Sequence, residues 1–262
     1  CARGVEALEQ GPSSPSAVGV TVENPGAVAD VTMPNPICVA IDTPDLSRAL
    51  SLVKALRRHV GYVKIGMEFF YANGAAGYAA VAEAGIPVFL DLKLHDIPNT
   101  VEQGLRSLMK LAPAPAIINV HATGGLDMMK AARTAVTGET KLIAVTILTS
   151  LSNDNIWAAG FDPARDTAEQ ALTLARLTHA AGLDGIVCSP HDLAGVRKAL
   201  PRAFLTVVPG IRPADTAAND QKRIATPSAA IAAGADILVI GRAITGSADP
   251  AGAAQAILAG LT

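Results

Sequence analysis

The chain has 262 residues, of which 50% are hydrophobic, 17% charged and 3% aromatic. That composition supports a large aliphatic core and excludes a disordered protein, and the length suits one large domain or two small ones. A formal net charge of −2, with no basic stripe and no interleaved aromatics, speaks against nucleic acid as a partner, and no uninterrupted apolar stretch reaches the roughly 18 residues of a membrane span.

Residues 1–32 are rich in Gly, Pro, Ser and Val, begin with Cys and lack the basic-then-apolar layout of a secretion signal. They read as a disordered or loosely attached N-terminal extension, or as a remnant of expression, and the fold is assigned to 33–262. From Met33 onward one alternation repeats. Strand-like apolar runs at 37–41, 62–65, 88–90, 117–120, 142–148, 185–188, 205–208 and 237–240 are each followed by helical spacing, at 47–60, 74–84, 99–111, 126–136, 167–181, 190–200, 227–233 and 250–261. Continuous apolar strands alternating with helices imply a parallel sheet covered by helices. Eight such units of about 29 residues predict an α/β fold of the closed (β/α)8 TIM-barrel type. An open doubly wound sheet is the alternative; no Gly-x-Gly-x-x-Gly follows the first strand, which counts against a dinucleotide-binding version. Cys1, Cys38 and Cys188 have neither disulfide-framework nor metal-ligand spacing. Cys38 and Cys188 lie in apolar runs and read as buried thiols, which fits a reducing cytoplasm.

In such barrels the site lies at the carboxyl ends of the strands. The first strand ends in Asp42, the second carries Lys64, and the third runs Val-Phe-Leu-Asp-Leu-Lys-Leu-His-Asp-Ile-Pro-Asn-Thr over 88–100. Residues two apart in a strand share a face, so Asp91 and Lys93 point the same way. A carboxylate and an ammonium at the end of a buried element are costly to desolvate unless paired, and pairing leaves both poised for chemistry. Asp96 falls past that face: it either caps the next helix or projects into a neighbouring subunit's site. His95 reads as a structural hydrogen-bonding residue, with a proton shuttle as the alternative, and His121 as a backbone-packing residue; neither has a metal partner by spacing.

The seventh strand leads into Pro209-Gly210-Ile211-Arg212-Pro213 and the eighth into Gly241-Arg242. Loops after strands seven and eight are the usual phosphate site of this fold; Gly permits close approach, and Arg offers a planar, permanently charged fork. The polar segment 209–226 is long for a βα loop and suggests a lid. A small phosphorylated substrate would be gripped by Arg212 and Arg242 with its reactive end over the Asp/Lys array, where Lys93 is the natural proton donor. Decarboxylation, enolisation and aldol cleavage all remain open on spacing alone.

The signature Asp-Leu-Lys-Leu-His-Asp-Ile-Pro-Asn-Thr resembles that of the orotidine 5′-phosphate decarboxylases. Ala40-Ile41-Asp42, Val63-Lys64-Ile65-Gly66, Leu148-Thr149-Ser150, Pro209-Gly210-Ile211-Arg212, Asp220-Gln221-Lys222-Arg223 and Gly241-Arg242-Ala243-Ile244 follow in the family's order, so the likeness covers nearly all of the folded portion. The resemblance implies conversion of orotidine 5′-phosphate to uridine 5′-phosphate in pyrimidine biosynthesis, without metal or organic cofactor. It implies that Lys93 protonates ring carbon six within a Lys64–Asp91–Lys93–Asp96 network, and that Asp96 and Thr100 come from the other subunit of a homodimer. Asp42 and Lys64 would contact the ribose, Thr149 or Ser150 the pyrimidine, and Gln221 both base and phosphate. Arg212, Gly241 and Arg242 would hold the phosphate. Two alternatives are a magnesium-dependent sugar-phosphate decarboxylase or aldolase of the same superfamily, and a catalytically silent nucleotide-binding barrel. The first needs an acidic metal ligand at the second strand, where this chain has Lys64.

Overall fold

The structure, a computed structural model, describes residues 35–213 and 225–261. The segment 1–32 and Gln221 therefore lie outside the described residues. Eight parallel strands close into a barrel in sequential order: β1 (Ile37–Ile41), β2 (Tyr62–Gly66), β3 (Val88–Leu94), β4 (Ile117–His121), β5 (Lys141–Val145), β6 (Gly185–Val187), β7 (Leu205–Val208) and β8 (Ile237–Ile240). β8 pairs with β1 to complete the ring. The helices between and after them are α1 (Leu46–Leu56), α2 (Met67–Ala82), α3 (Pro98–Leu108), α4 (Gly125–Ala135), α5 (Asn153–Ala158), α6 (Thr167–Ala180), α7 (Leu193–Ala199), α8 (Pro227–Ala232), α9 (Arg242–Thr245) and α10 (Pro250–Ala259). No helix among the described residues is long and apolar enough to cross a membrane.

Strand parity explains how the barrel delivers its site. Cys38, Ala40, Phe89, Ile117, Ile143, Val207, Ile237 and Val239 pack on one another inside the barrel, with Tyr62 against them. A separate, larger apolar cluster fills the layer between strands and helices. Inward and outward residues alternate along each barrel strand. Stepping two residues from the inner layer towards the carboxyl ends reaches Asp42 from Ala40, Lys64 from Tyr62, Asp91 from Phe89, Asn119 from Ile117 and Gly241 from Val239. The site residues thus continue rows whose lower members are core.

The opposite rim is tied by one device used twice. Asp184, just before β6, accepts the Leu142 N–H at 2.8 Å and the Arg133 guanidinium at 2.7 Å. Its own N–H donates to the Leu142 carbonyl at 2.8 Å. Asp236, just before β8, accepts the Thr206 N–H at 2.7 Å and the guanidinium groups of Arg197 and Arg202. Its N–H returns to the Thr206 carbonyl at 3.1 Å. Each aspartate stands just before its strand, satisfies the amide of the second residue of the neighbouring strand and anchors an arginine from the helix that leads into that neighbour.

Element boundaries differ from expectation at a few places, each for a local reason. α2 begins directly after β2, at Met67 rather than at 74, and Gly74 (φ 58°, ψ −153°) breaks it into two helical runs. Apolar spacing is legible only in the second run. β3 extends past 90 to include Asp91 and Lys93, and β5 stops at Val145 although apolar residues continue to 148. The short helices α5 and α9 sit where loops were expected; four to six residues give too few turns for a period to register.

Candidate active site

The third strand is irregular where it matters. Leu90 pairs with Ile118 and Leu94 with Val120, so four residues of β3 advance against two of β4. Lys93, inside this bulge, has φ 52°, the left-handed region that non-glycine residues rarely adopt. Its N–H donates to Asn119 Oδ1 at 2.8 Å, and its ammonium lies 2.7 Å from Asp91 Oδ1. Asp91 and Lys93 meet as expected, although a bulged backbone rather than simple alternation brings the ammonium back.

Asp91 is the hub of the array. Oδ1 also accepts from Asn119 Nδ2 at 2.7 Å, while Oδ2 faces the Lys64 ammonium at 3.3 Å. Lys64 in turn lies 3.3 Å from Asp42 Oδ1. Asp91 is 6% exposed, so burial works to raise its pKa; Lys64, Lys93 and the hydrogen bonds from Lys93 and Asn119 outweigh this and hold the carboxyl below its usual range. Burial likewise opposes the charge of Lys64, but Asp91 and Asp42 outweigh it and raise the pKa. The balance is understandable in magnitude: each close ion contact contributes about 4 kcal/mol at an effective dielectric near 20, against several kcal/mol to desolvate an ion. Two cations on one carboxylate decide the sign.

A cavity of about 280 Å³ opens over this array. Asp42, Lys64, Asp91 and Lys93 line it, together with Thr149, Arg212, Gly241 and Arg242 and an apolar wall that includes Val145, Ile147, Val187 and Cys188. Arg212 is buried, and the base of its loop is tied down: its N–H donates to the Ala225 carbonyl at 3.0 Å, and the Ala225 N–H returns to Gly210 at 3.2 Å. Because β8 pairs with β1, Arg242 stands beside Asp42 rather than across the barrel, and both border a side recess with Arg48. The cavity therefore has a cationic arc after β7 and β8, a charged floor on β1 to β3 and an apolar wall on β5 and β6.

Not every expected residue joins it. Ser150 is exposed and does not line the cavity, whereas Thr149 does; the turn after β5 brings only the first of the two residues to it. Asp96 and Thr100 are both exposed, and neither borders the cavity of its own chain. Asp96 Oδ1 accepts the Ile97 N–H at 2.6 Å, and no ion pair joins it to Lys93. His95 and His121 stack with centroids 5.6 Å apart, outside the cavity lining. Burial, then His95 and Lys93, depress the His121 pKa to about 4. Cys38 and Cys188 are buried and in no disulfide, and burial pushes the Cys38 pKa well up. Among the described residues no group of three His, Cys, Asp or Glu side chains is disposed to hold a metal ion. Asn119, fully buried on β4, is a member that sequence reasoning missed. Its signal is a lone amide within the apolar run Ile-Ile-Asn-Val, since a buried polar side chain needs partners.

Comparison with known proteins agrees with this geometry. Residues 35–257 match the model of the orotidine 5′-phosphate decarboxylase / HUMPS family. The orotidine 5′-phosphate decarboxylase of Sphingopyxis alaskensis is 49% identical over 229 residues, which cover 87% of this chain and 100% of that protein. The protein of the same name from Rhodospirillum rubrum is 49% identical over 232 residues, covering 85% of this chain and 92% of its own. The crystal structure of orotidine 5′-phosphate decarboxylase from Lactobacillus acidophilus superposes with a TM-score of 0.75 at 36% identity, over 87% of this chain and 99% of that one.

Proposed function

The chain belongs to the orotidine 5′-phosphate decarboxylase / HUMPS family, and we propose the following division of labour among its residues. The enzyme is a carboxy-lyase that converts orotidine 5′-phosphate to uridine 5′-phosphate. The bond from ring carbon six to the carboxylate breaks, carbon dioxide leaves, and the electron pair stays on carbon six. Lys93 then gives that carbon a proton and recovers one from water. The single observation that carries this reading is the Lys64–Asp91–Lys93 array on the floor of a cavity that also holds Arg212 and Arg242.

The physical logic is charge placed in advance. The carbanion develops where the Lys93 ammonium is already fixed, so no solvent need reorganise around it. Asp91, 2.7 Å away, holds that ammonium in place. Asp42 and Lys64 face the ribose, Thr149 the pyrimidine, and Arg212, Gly241 and Arg242 the phosphate. Binding energy gathered at the phosphate is used at the remote ring, so the tail contributes to turnover as well as affinity. Lys64 also weighs against the magnesium-dependent alternative, because its ammonium sits between the carboxylates of Asp42 and Asp91, where a divalent ion would need ligands.

The active form is an isologous homodimer in which Asp96 and Thr100 reach the partner's cavity. Two features support this: neither borders its own cavity, and Met67, Tyr71 and Ile97 leave large apolar surfaces exposed, at 43%, 73% and 66%. The catalytic unit is the barrel of 33–262, and a reducing cytoplasm suits its buried thiols. The test is turnover of orotidine 5′-phosphate, followed by its loss of ultraviolet absorbance, in the wild type and in Lys93→Ala. Wild-type turnover and at least ~10³-fold loss in the folded variant are expected; near-normal activity in Lys93→Ala refutes the assignment.

A further inference from the structure

We propose that Asn119 is a positioning residue for the proton transfer, and that its one carboxamide sets both the backbone of Lys93 and the carboxylate of Asp91. The proposal rests on the reading of Lys93 as proton donor.

Lys93 is the single non-glycine residue with positive φ among the described residues. A side-chain-bearing residue in the left-handed region costs about 1–2 kcal/mol and persists only where its surroundings over-determine it. The β3 bulge also takes the Lys93 N–H out of the regular ladder to β4, and a buried N–H without an acceptor is itself costly. Asn119 Oδ1 supplies that acceptor at 2.8 Å. Its Nδ2, on the other arm of the same planar group, donates to Asp91 Oδ1 at 2.7 Å. The partners also fix which way the amide points, since an N–H demands the oxygen and a carboxylate demands the nitrogen.

The consequence reaches the reacting atoms. Asp91 Oδ1 receives both Asn119 and the Lys93 ammonium, leaving Oδ2 towards Lys64. One rigid group on a fully buried strand position thus fixes where the Lys93 backbone starts and where its ammonium ends. Leu at 119 would leave the Lys93 N–H and an Asp91 lone pair unmet, and Asp, while ionised, would set a second anion against Asp91. A protonated carboxylic acid restores the pattern, because it offers one acceptor and one donor in nearly the same shape.

That last point gives the experiment. Orotidine 5′-phosphate turnover is measured from pH 5 to 8 for the wild type, Lys93→Ala, Asn119→Leu and Asn119→Asp, with uridine 5′-phosphate affinity as a check on the binding site. Asn119→Leu is expected to lose about 10²-fold in kcat, the scale of a misplaced catalytic group, with KM and product affinity changed less than about threefold. For Asn119→Asp, kcat is expected to rise as pH falls across this range, a rise absent in the wild type and in Asn119→Leu. Should Asn119→Leu fail to fold, the direction of the Asn119→Asp profile decides alone. A wild-type-like kcat in Asn119→Leu, or an Asn119→Asp profile parallel to wild type, overturns the proposal while Lys93→Ala remains inactive. Activity retained in Lys93→Ala overturns instead the reading beneath it.

Discussion

Lys64 faces Asp91 at Oδ2, at 3.3 Å, so the carboxylate is engaged by an ammonium on the oxygen that Lys93 does not use. Asp91→Asn tests what this charge does, because it keeps the shape and removes the anion. Two ammonium groups would then crowd a neutral amide, and Lys93 would lose the group that aims it. A fall in kcat of about 10³-fold is expected, with the fold intact by circular dichroism. A loss smaller than tenfold would show that Asp91 is a bystander.

Arg242 should act on the chemistry through the phosphate. For Arg242→Ala, kcat/KM towards the nucleotide is expected to fall about 10²-fold, the scale of a charge-assisted bidentate contact. Slow turnover of the unphosphorylated nucleoside orotidine should stay within about twofold, since that substrate has nothing for Arg242 to hold. Equal losses on both substrates would place the Arg242 effect in the fold rather than in phosphate recognition.

The fold was legible because apolar runs and helical spacing repeat eight times, and barrel geometry then sends the ends of the inward rows to one mouth. Asp42, Lys64, Asp91 and Lys93 could be read because charges at the ends of apolar strands have no other economical place. The left-handed turn at Lys93 could not, since no Gly or Asn announces it. Neither could the Asn119 partnership, which depends on a register shift between two strands. The Arg197–Asp236 clamp joins residues 39 apart in the chain and leaves no local pattern. Which of two adjacent residues, Thr149 or Ser150, reaches the cavity depends on a turn whose geometry the residue types do not dictate.

His121 makes stability pH-dependent in a definite window. Burial, with His95 and Lys93, lowers its folded pKa from the ordinary 6.5 to about 4. Above about 6.5 both folded and unfolded chains hold it neutral. Below that, the unfolded chain takes the proton first, so stability is lost as pH falls towards about 4. Asp91, held below its ordinary 3.8, adds its own loss only at still lower pH. The urea midpoint should therefore drop between pH 7 and 5, and His121→Gln should flatten that slope. An unchanged slope in the variant would assign the effect to other groups.

The rim clamps should matter for stability and not for chemistry. Arg197 donates to the Gly234 and Phe204 carbonyls, each at 2.8 Å, as well as to Asp236 and Thr206. Arg197→Met keeps much of the aliphatic packing but strips those acceptors of their donor. A cost of about 2–3 kcal/mol is expected, somewhat below that of breaking a fully buried pair. Chemical denaturation measures it, and kcat on orotidine 5′-phosphate should stay within twofold of wild type. A variant that kept its stability while losing activity would contradict the separation of the two barrel ends.

Subunit mixing tests whether a cavity is shared. Lys93→Ala removes the proposed proton donor from its own cavity, whereas Asp96→Ala, if Asp96 acts across the interface, spoils the partner's. Each homodimer is then inactive. In a heterodimer both lesions fall on one cavity and the other keeps Lys93 from one subunit and Asp96 from its partner. Random exchange at equal concentrations makes half of the dimers mixed, so activity should return to about a quarter of the wild-type value per site. No recovery, with exchange confirmed by differently tagged subunits, would mean that Asp96 serves its own chain. The exposed Tyr71 and Ile97 give an independent handle: Tyr71→Glu and Ile97→Glu should weaken association in sedimentation and lower activity in parallel, with the loss reversed at high protein concentration.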